Sequence, residues 1–211
     1  MKRKTLVTLA TFCCLLAAAI IFISCGHHHD DSTDATSGCT QIANVTKIYL
    51  FGSTDEHDGN LGGRTGADAL LDADGNKPVA CTTATHAFIS VDANDSIANM
   101  PTTYCFPDNI KIYAPDGITI IADNWADLMD SSIDVSLMDA GLFPVGKKRE
   151  YWWTGSLANG TLNSGNNANG WTENLDVSGG AYANAAATDS TWLANDIDVS
   201  STNNGLVGLC Y

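Results

Sequence analysis

Residues 151–171 read YWWTGSLANGTLNSGNNANGW, and this stretch restricts the fold more than any other. Three successive rings, Tyr151, Trp152 and Trp153, open it, and Trp171 closes it. Between them the chain is mostly Gly, Asn, Ser and Thr, with almost no hydrophobic content. Large rings on either side of such a run imply two anchored strands holding out a long, solvated loop. Loops of this length inside a compact domain are uncommon, and are usually functional or disordered. The remaining chain therefore reads as the frame for this loop. If Trp152 and Trp153 share a strand, they point to opposite faces, one buried and the other more exposed.

Apolar content is enough for one domain core, since 45% of the 211 residues are hydrophobic. Charge is lopsided, with 24 Asp and Glu against 10 Lys and Arg, a formal net charge of −14. Such a surface repels phosphate backbones, which argues against nucleic acid as a partner. It tolerates divalent cations and basic proteins.

Lys2, Arg3 and Lys4 precede an uncharged, mostly apolar run over residues 5–23, which ends in Ser24, Cys25 and Gly26. A basic start, an apolar middle and a small residue at the cut describe a secretory signal over residues 1–24. Phe22-Ile23-Ser24-Cys25 also resembles the lipobox of bacterial lipoproteins, in which the Cys is acylated and becomes the first mature residue. The alternative is an uncleaved anchor helix, because the apolar run approaches the length of a membrane span. Both readings tether the domain to a membrane outside the cytoplasm, with the outer membrane or cell surface expected.

Residues 25–40 read as a flexible tether, in which His27, His28 and His29 beside Asp30 and Asp31 could bind Zn²⁺ or Cu²⁺ weakly. Consecutive residues on a floppy chain have no preformed shell, so neither a dedicated metal site nor a cofactor is expected.

Of the seven Cys, Cys13 and Cys14 fall in the signal and Cys25 is the expected lipid site. Cys39, Cys81, Cys105 and Cys210 remain for two disulfides in an oxidising compartment. Four Cys allow three connectivities. The expected pairing is Cys39–Cys210 with Cys81–Cys105; the first staples the chain ends if the first and last strands are antiparallel neighbours.

The domain over residues 41–211 reads as α+β. β-Branched and aromatic residues at 45–51 make a first strand, 86–90 a second, and 205–211 a last one. Pro115-Asp116-Gly117 is a turn between two β-prone runs, hence a hairpin. Residues 66–73 place Ala67, Leu70 and Leu71 on one face of a short helix, and 123–129 place Trp125, Leu128 and Met129 likewise. The glycine-rich turn at 58–64 lacks a phosphate-loop pattern and reads as structural.

Set end to end, several short motifs are similar to those of a family of bacterial exported lipoproteins with an endostatin-like, C-type lectin-like domain. They include the leptospiral endostatin-like outer-membrane lipoproteins. The motifs are Gly59-Asn-Leu-Gly-Gly63 with Gly66-Ala-Asp-Ala69, Ala87-Phe-Ile-Ser90, the Pro115 turn with residues 121–128, Trp153-Thr-Gly155, Asn169-Gly-Trp171 and Leu209-Cys210-Tyr211. The resemblance implies small mixed and antiparallel sheets, two short helices, terminal strands that meet, and a long loop. It also implies a binding role, since spirochaetal members bind host matrix and complement-regulating proteins. The family's usual first-helix Cys is replaced here by Leu70-Leu71, so Cys39 would take over as partner of Cys210. A Cys before the last loop Trp is replaced by Asn169-Gly170, implying an unstapled, mobile loop. The triplets with which sugar-binding C-type lectins hold Ca²⁺ do not occur.

No GxSxG, HExxH or CxxC occurs, and outside the tether only His57 and His86 offer imidazole. Formylglycine-generating oxidases show that the broad fold can host chemistry, but their paired reactive Cys is not evident. A non-enzymatic module is expected, binding a protein or glycan through Tyr151, Trp152, Trp171 and Tyr182 with Asn163, Asn166, Asn167 and Asn169. The alternatives are an envelope structural lipoprotein without a soluble ligand, and weak metal binding by the tether.

Overall fold

The computed structural model describes residues 39–144, 146 and 150–211. Cys25 and the His27–His29 run lie outside them. The described chain is mixed α+β with two sheets and a few short helices. In the first sheet, β1 (Ile48–Gly52), β2 (Thr85–Ala87), β3 (Ile112–Tyr113), β4 (Ile120–Ala122) and β8 (Val207–Cys210) lie in the order β2-β8-β1-β3-β4. The second holds β5 (Tyr151–Trp153), β6 (Gly179–Asn184) and β7 (Asp196–Val199), with β6 central.

The period of two along β1 separates two cores. Ile48 and Leu50 enter one cluster with Phe88, Ile112, Trp125 and Trp192. Phe51 enters the other with Leu61, Ala67, Leu71 and Trp171. A sheet buried on both faces needs apolar residues at successive positions, which β1 and β8 supply. The terminal strands meet as expected: β1 and β8 are antiparallel, with Tyr49 opposite Cys210.

That pairing does not bring Cys39 to Cys210. The disulfides are Cys39–Cys105 and Cys81–Cys210, so both expected pairs are corrected. The sheet order gives the reason. β8 lies between β1 and β2, and Thr85 is also opposite Cys210, so Cys81, four residues earlier, is delivered beside it. The chain before β1 instead runs along the segment at Cys105, whose carbonyl accepts from Ile42 N–H at 2.8 Å.

The hairpin around Pro115 forms as read, pairing β3 with β4. Helix α1 (Gly63–Asp72) starts three residues earlier than expected and buries Ala67 and Leu71, while Leu70 is exposed. Helix α2 (Met100–Tyr104) was not anticipated; α3 (Trp125–Leu128) was, with Trp125 and Leu128 in the core. Among the described residues no helix is long and apolar enough to cross a membrane.

Candidate functional site

Trp152 and Trp153 point to opposite faces of β5, but neither is exposed. Trp152 packs 6.0 Å from the Phe88 ring in the first core. Trp153 lies 5.7 Å from Trp171 in the second, and its indole N–H donates to His57 O at 2.8 Å. Trp152 and Trp171 are therefore core residues, not ligand contacts.

The segment after β5 is no projecting excursion. Leu157 N–H and Asn163 N–H donate to Thr161 O and Gly155 O, both at 2.8 Å, closing a small hairpin upon itself. Ala98 N–H donates to Gly160 O at 2.9 Å, and Ala181 N–H to Asn166 O at 2.7 Å. The buried Ser90 hydroxyl contacts that of Ser156 at 2.7 Å and accepts from Ile97 N–H at 2.9 Å. Thr154, Ser156, Asn167 and Ala168 are all buried. The expected mobile loop is thus corrected to a folded cover over the small sheet, because its polar groups find partners on β6 and on the chain after β2.

The cover ends in α4 (Ala168–Trp171), a left-handed helical turn. Ala168, Asn169, Gly170 and Trp171 have φ of +46°, +52°, +70° and +65°. Trp171 N–H and Thr172 N–H donate four residues back, to Asn167 O at 2.8 Å and Ala168 O at 3.0 Å. L-residues other than Gly give up roughly 1–2 kcal/mol each in this region. Such strain persists only where the surroundings over-determine it. Here Asn167 Nδ2 donates to Val91 O at 2.6 Å and the Trp171 indole to Ser90 O at 2.8 Å, clamping both ends of the turn.

Two depressions open on this face. One, of about 220 Å³, is lined by Ser156, Leu157, Asn163, Ala194, Asp196 and Ile197, among others. The other, of about 560 Å³, is lined by Gly165, Asn167, Asn169, Glu173, Val177, Ser178 and Gly179. Asn166 stands between them: its side chain donates to Asn163 Oδ1 at 2.9 Å, and Gly179 leaves room for its Oδ1. A Cβ on Gly179 would lie 2.8 Å from that oxygen. Leu157, Ile197 and Val177 are exposed beside these polar walls. Of the residues read as contacts, Asn163, Asn167 and Asn169 line the depressions. Tyr151 is exposed and meets half-buried Tyr182 edge-on at 5.1 Å, but that pair lines neither.

A titratable cluster missed in the sequence lies elsewhere, between α1 and the chain after β2. Arg64 donates to both Asp95 oxygens at 2.8 and 2.7 Å, to Ile89 O at 2.8 Å and to Ala87 O. Tyr104 donates to Asp95 at 3.1 Å, and His86 stacks on Tyr104 at 3.7 Å while its Nδ1 lies 3.4 Å from Asp68. Burial pushes the Tyr104 hydroxyl well above its ordinary pKa; Arg64 opposes the rise and the nearby carboxylates add to it. Burial also works against the Arg64 charge, but the Asp95 hydrogen bond and the surrounding negative groups leave its pKa raised. The one cue in the sequence is the four-residue spacing of Arg64 and Asp68. Among the described residues no group of three or more His, Cys, Asp or Glu could hold a metal ion.

A family model described as a protein of unknown function, DUF1554, matches residues 54–188. The chain belongs to this family. The match runs from the end of β1 past β6, so it takes in the Arg64 cluster, the folded cover and the left-handed turn. None of the curated proteins matches the chain.

Proposed function

We propose that the chain is a membrane-anchored, extracytoplasmic lipoprotein whose C-type lectin-like, endostatin-like domain binds a protein or glycan ligand on the face around Asn166. The observation that carries this reading is the preorganisation of that face. Asn163, Asn166, Asn167 and Asn169 are each held by a hydrogen bond within the domain, so contact with a ligand costs little ordering entropy. Leu157, Ile197 and Val177 add exposed apolar area beside them. The two disulfides suit an oxidising compartment.

Binding is favoured over catalysis because the densest titratable cluster, around Arg64, is committed to main-chain carbonyls and to its own members and lines neither depression. The test combines antibody access on whole cells with a ligand screen of the full chain and of an Asn163→Ala/Ile197→Asp variant. Both side chains are at the surface, so the variant is expected to keep its melting temperature and lose capture. Undiminished capture by a folded variant refutes the reading.

A further inference from the structure

The larger depression has a hydrogen-bonding polarity that selects among ligands. Asn167 gives one side-chain N–H to Val91 O at 2.6 Å, and Asn169 gives one to Glu173 Oε1 at 2.9 Å. A carbonyl and a carboxylate only accept, so both amide orientations are fixed: Nδ2 faces its partner and Oδ1 is the acceptor end of each amide. Glu173 adds carboxylate charge to the same wall, and Val177, 92% exposed, supplies an apolar edge. Asp196 lines the neighbouring depression. Among the described residues Lys47, Arg64, Lys77 and Lys111 are the cations, and none of them lines either depression.

We infer that this depression takes an arginine side chain of a protein partner, presented next to an apolar residue that rests on Val177. The inference rests on the binding face proposed above and names what that face receives. A guanidinium carries donors and no acceptor, in a planar fork suited to a carboxylate on a wall that also carries amide oxygens. The acidic balance of the whole chain, −14, steers a cationic segment toward it and makes its arrival salt-dependent.

The probe is a short peptide of alternating Arg and Val, compared with the same peptide carrying citrulline for Arg, titrated into the full chain and followed by amide resonances. The Arg peptide is expected to shift Asn167, Asn169, Val177 and Gly179, with the citrulline peptide binding about tenfold more weakly. Glu173→Gln keeps an acceptor for Asn169 while removing the charge, and should cost about tenfold in affinity for the Arg peptide. Equal binding of the citrulline peptide, or no loss in a folded Glu173→Gln variant, overturns the inference. If the Arg peptide shifts nothing while a ligand from the screen still perturbs either depression, the inference falls and the binding face stands. If no ligand perturbs either depression, both fall.

Discussion

The indole N–H of Trp171 donates to the main-chain carbonyl of Ser90 at 2.8 Å, joining residues 81 apart in sequence. This bond and the Asn167–Val91 bond beside it hold a strained left-handed turn against the chain that follows β2. The rigidity of the asparagine face therefore originates in the second core, where Trp171 is fully buried, and not in the loop's own composition.

Two substitutions separate packing from backbone strain in that turn. Trp171→Ala removes a buried ring and is expected to cost about 3–5 kcal/mol. Gly170→Ala places a Cβ no closer than 3.7 Å to any neighbour, at a φ of +70°, so its cost is strain alone. That cost is expected at about 1–2 kcal/mol. Urea melts of both variants check the ratio.

Arg64 neutralises Asp95 and satisfies two carbonyls in a largely buried setting. Arg64→Met leaves Asp95 without its cation and removes the Arg64 donor from Ile89 O, while Ala87 O keeps the Ile89 N–H at 2.9 Å. The expected loss is about 3–5 kcal/mol, as for removal of one partner of a buried ion pair. Thermal melts should show it, and the double variant with Asp95→Leu should recover part of it.

Tyr104 gives a pH signature. Its folded pKa is raised by burial above the ordinary 10.0, so the folded state holds that proton longer than the unfolded chain. The stability it contributes is complete below pH 10.0 and is lost as pH rises beyond it. Tyr104→Phe should flatten the decline of stability with pH on the alkaline side, read from denaturation midpoints. Tyr182 and Tyr211, also raised by burial, and Lys111, raised by its hydrogen bond to Asp123, contribute to the slope that remains.

Non-reducing peptide maps should yield Cys39 linked to Cys105 and Cys81 linked to Cys210. Loss of the second pair, by Cys81→Ser with Cys210→Ser, is expected to cost about 2–5 kcal/mol. It ties β8, the strand between β1 and β2, to the chain ahead of β2.

Much of the first sheet was legible from residues 45–51 and 205–211, because strands buried on both faces are apolar without interruption. The hairpin at Pro115 was legible because its turn chemistry is local. β6 was not, since Gly179-Gly-Ala-Tyr-Ala-Asn184 lacks the β-branched residues that mark strands. Its small residues answer a tertiary demand: a Cβ on Gly180 would lie 2.7 Å from the Trp153 ring. The start of α1 at Gly63 was not legible because it lies within a glycine pair that reads as loop, and Leu70 sits at the edge of the face that buries Ala67 and Leu71. Polarity in residues 154–170 looked like solvation, yet Ser156, Asn167 and their neighbours are polar to satisfy buried backbone. Local sequence carries no mark of that difference.

Amide hydrogen exchange across residues 155–181 tests the preformed face most directly. Slow exchange is predicted at Asn163, Trp171 and Ala181, whose N–H groups donate to Gly155 O, Asn167 O and Asn166 O, with protection approaching that of β8. Exchange at those amides near the rate of an unstructured chain, while β8 stays protected, would contradict it.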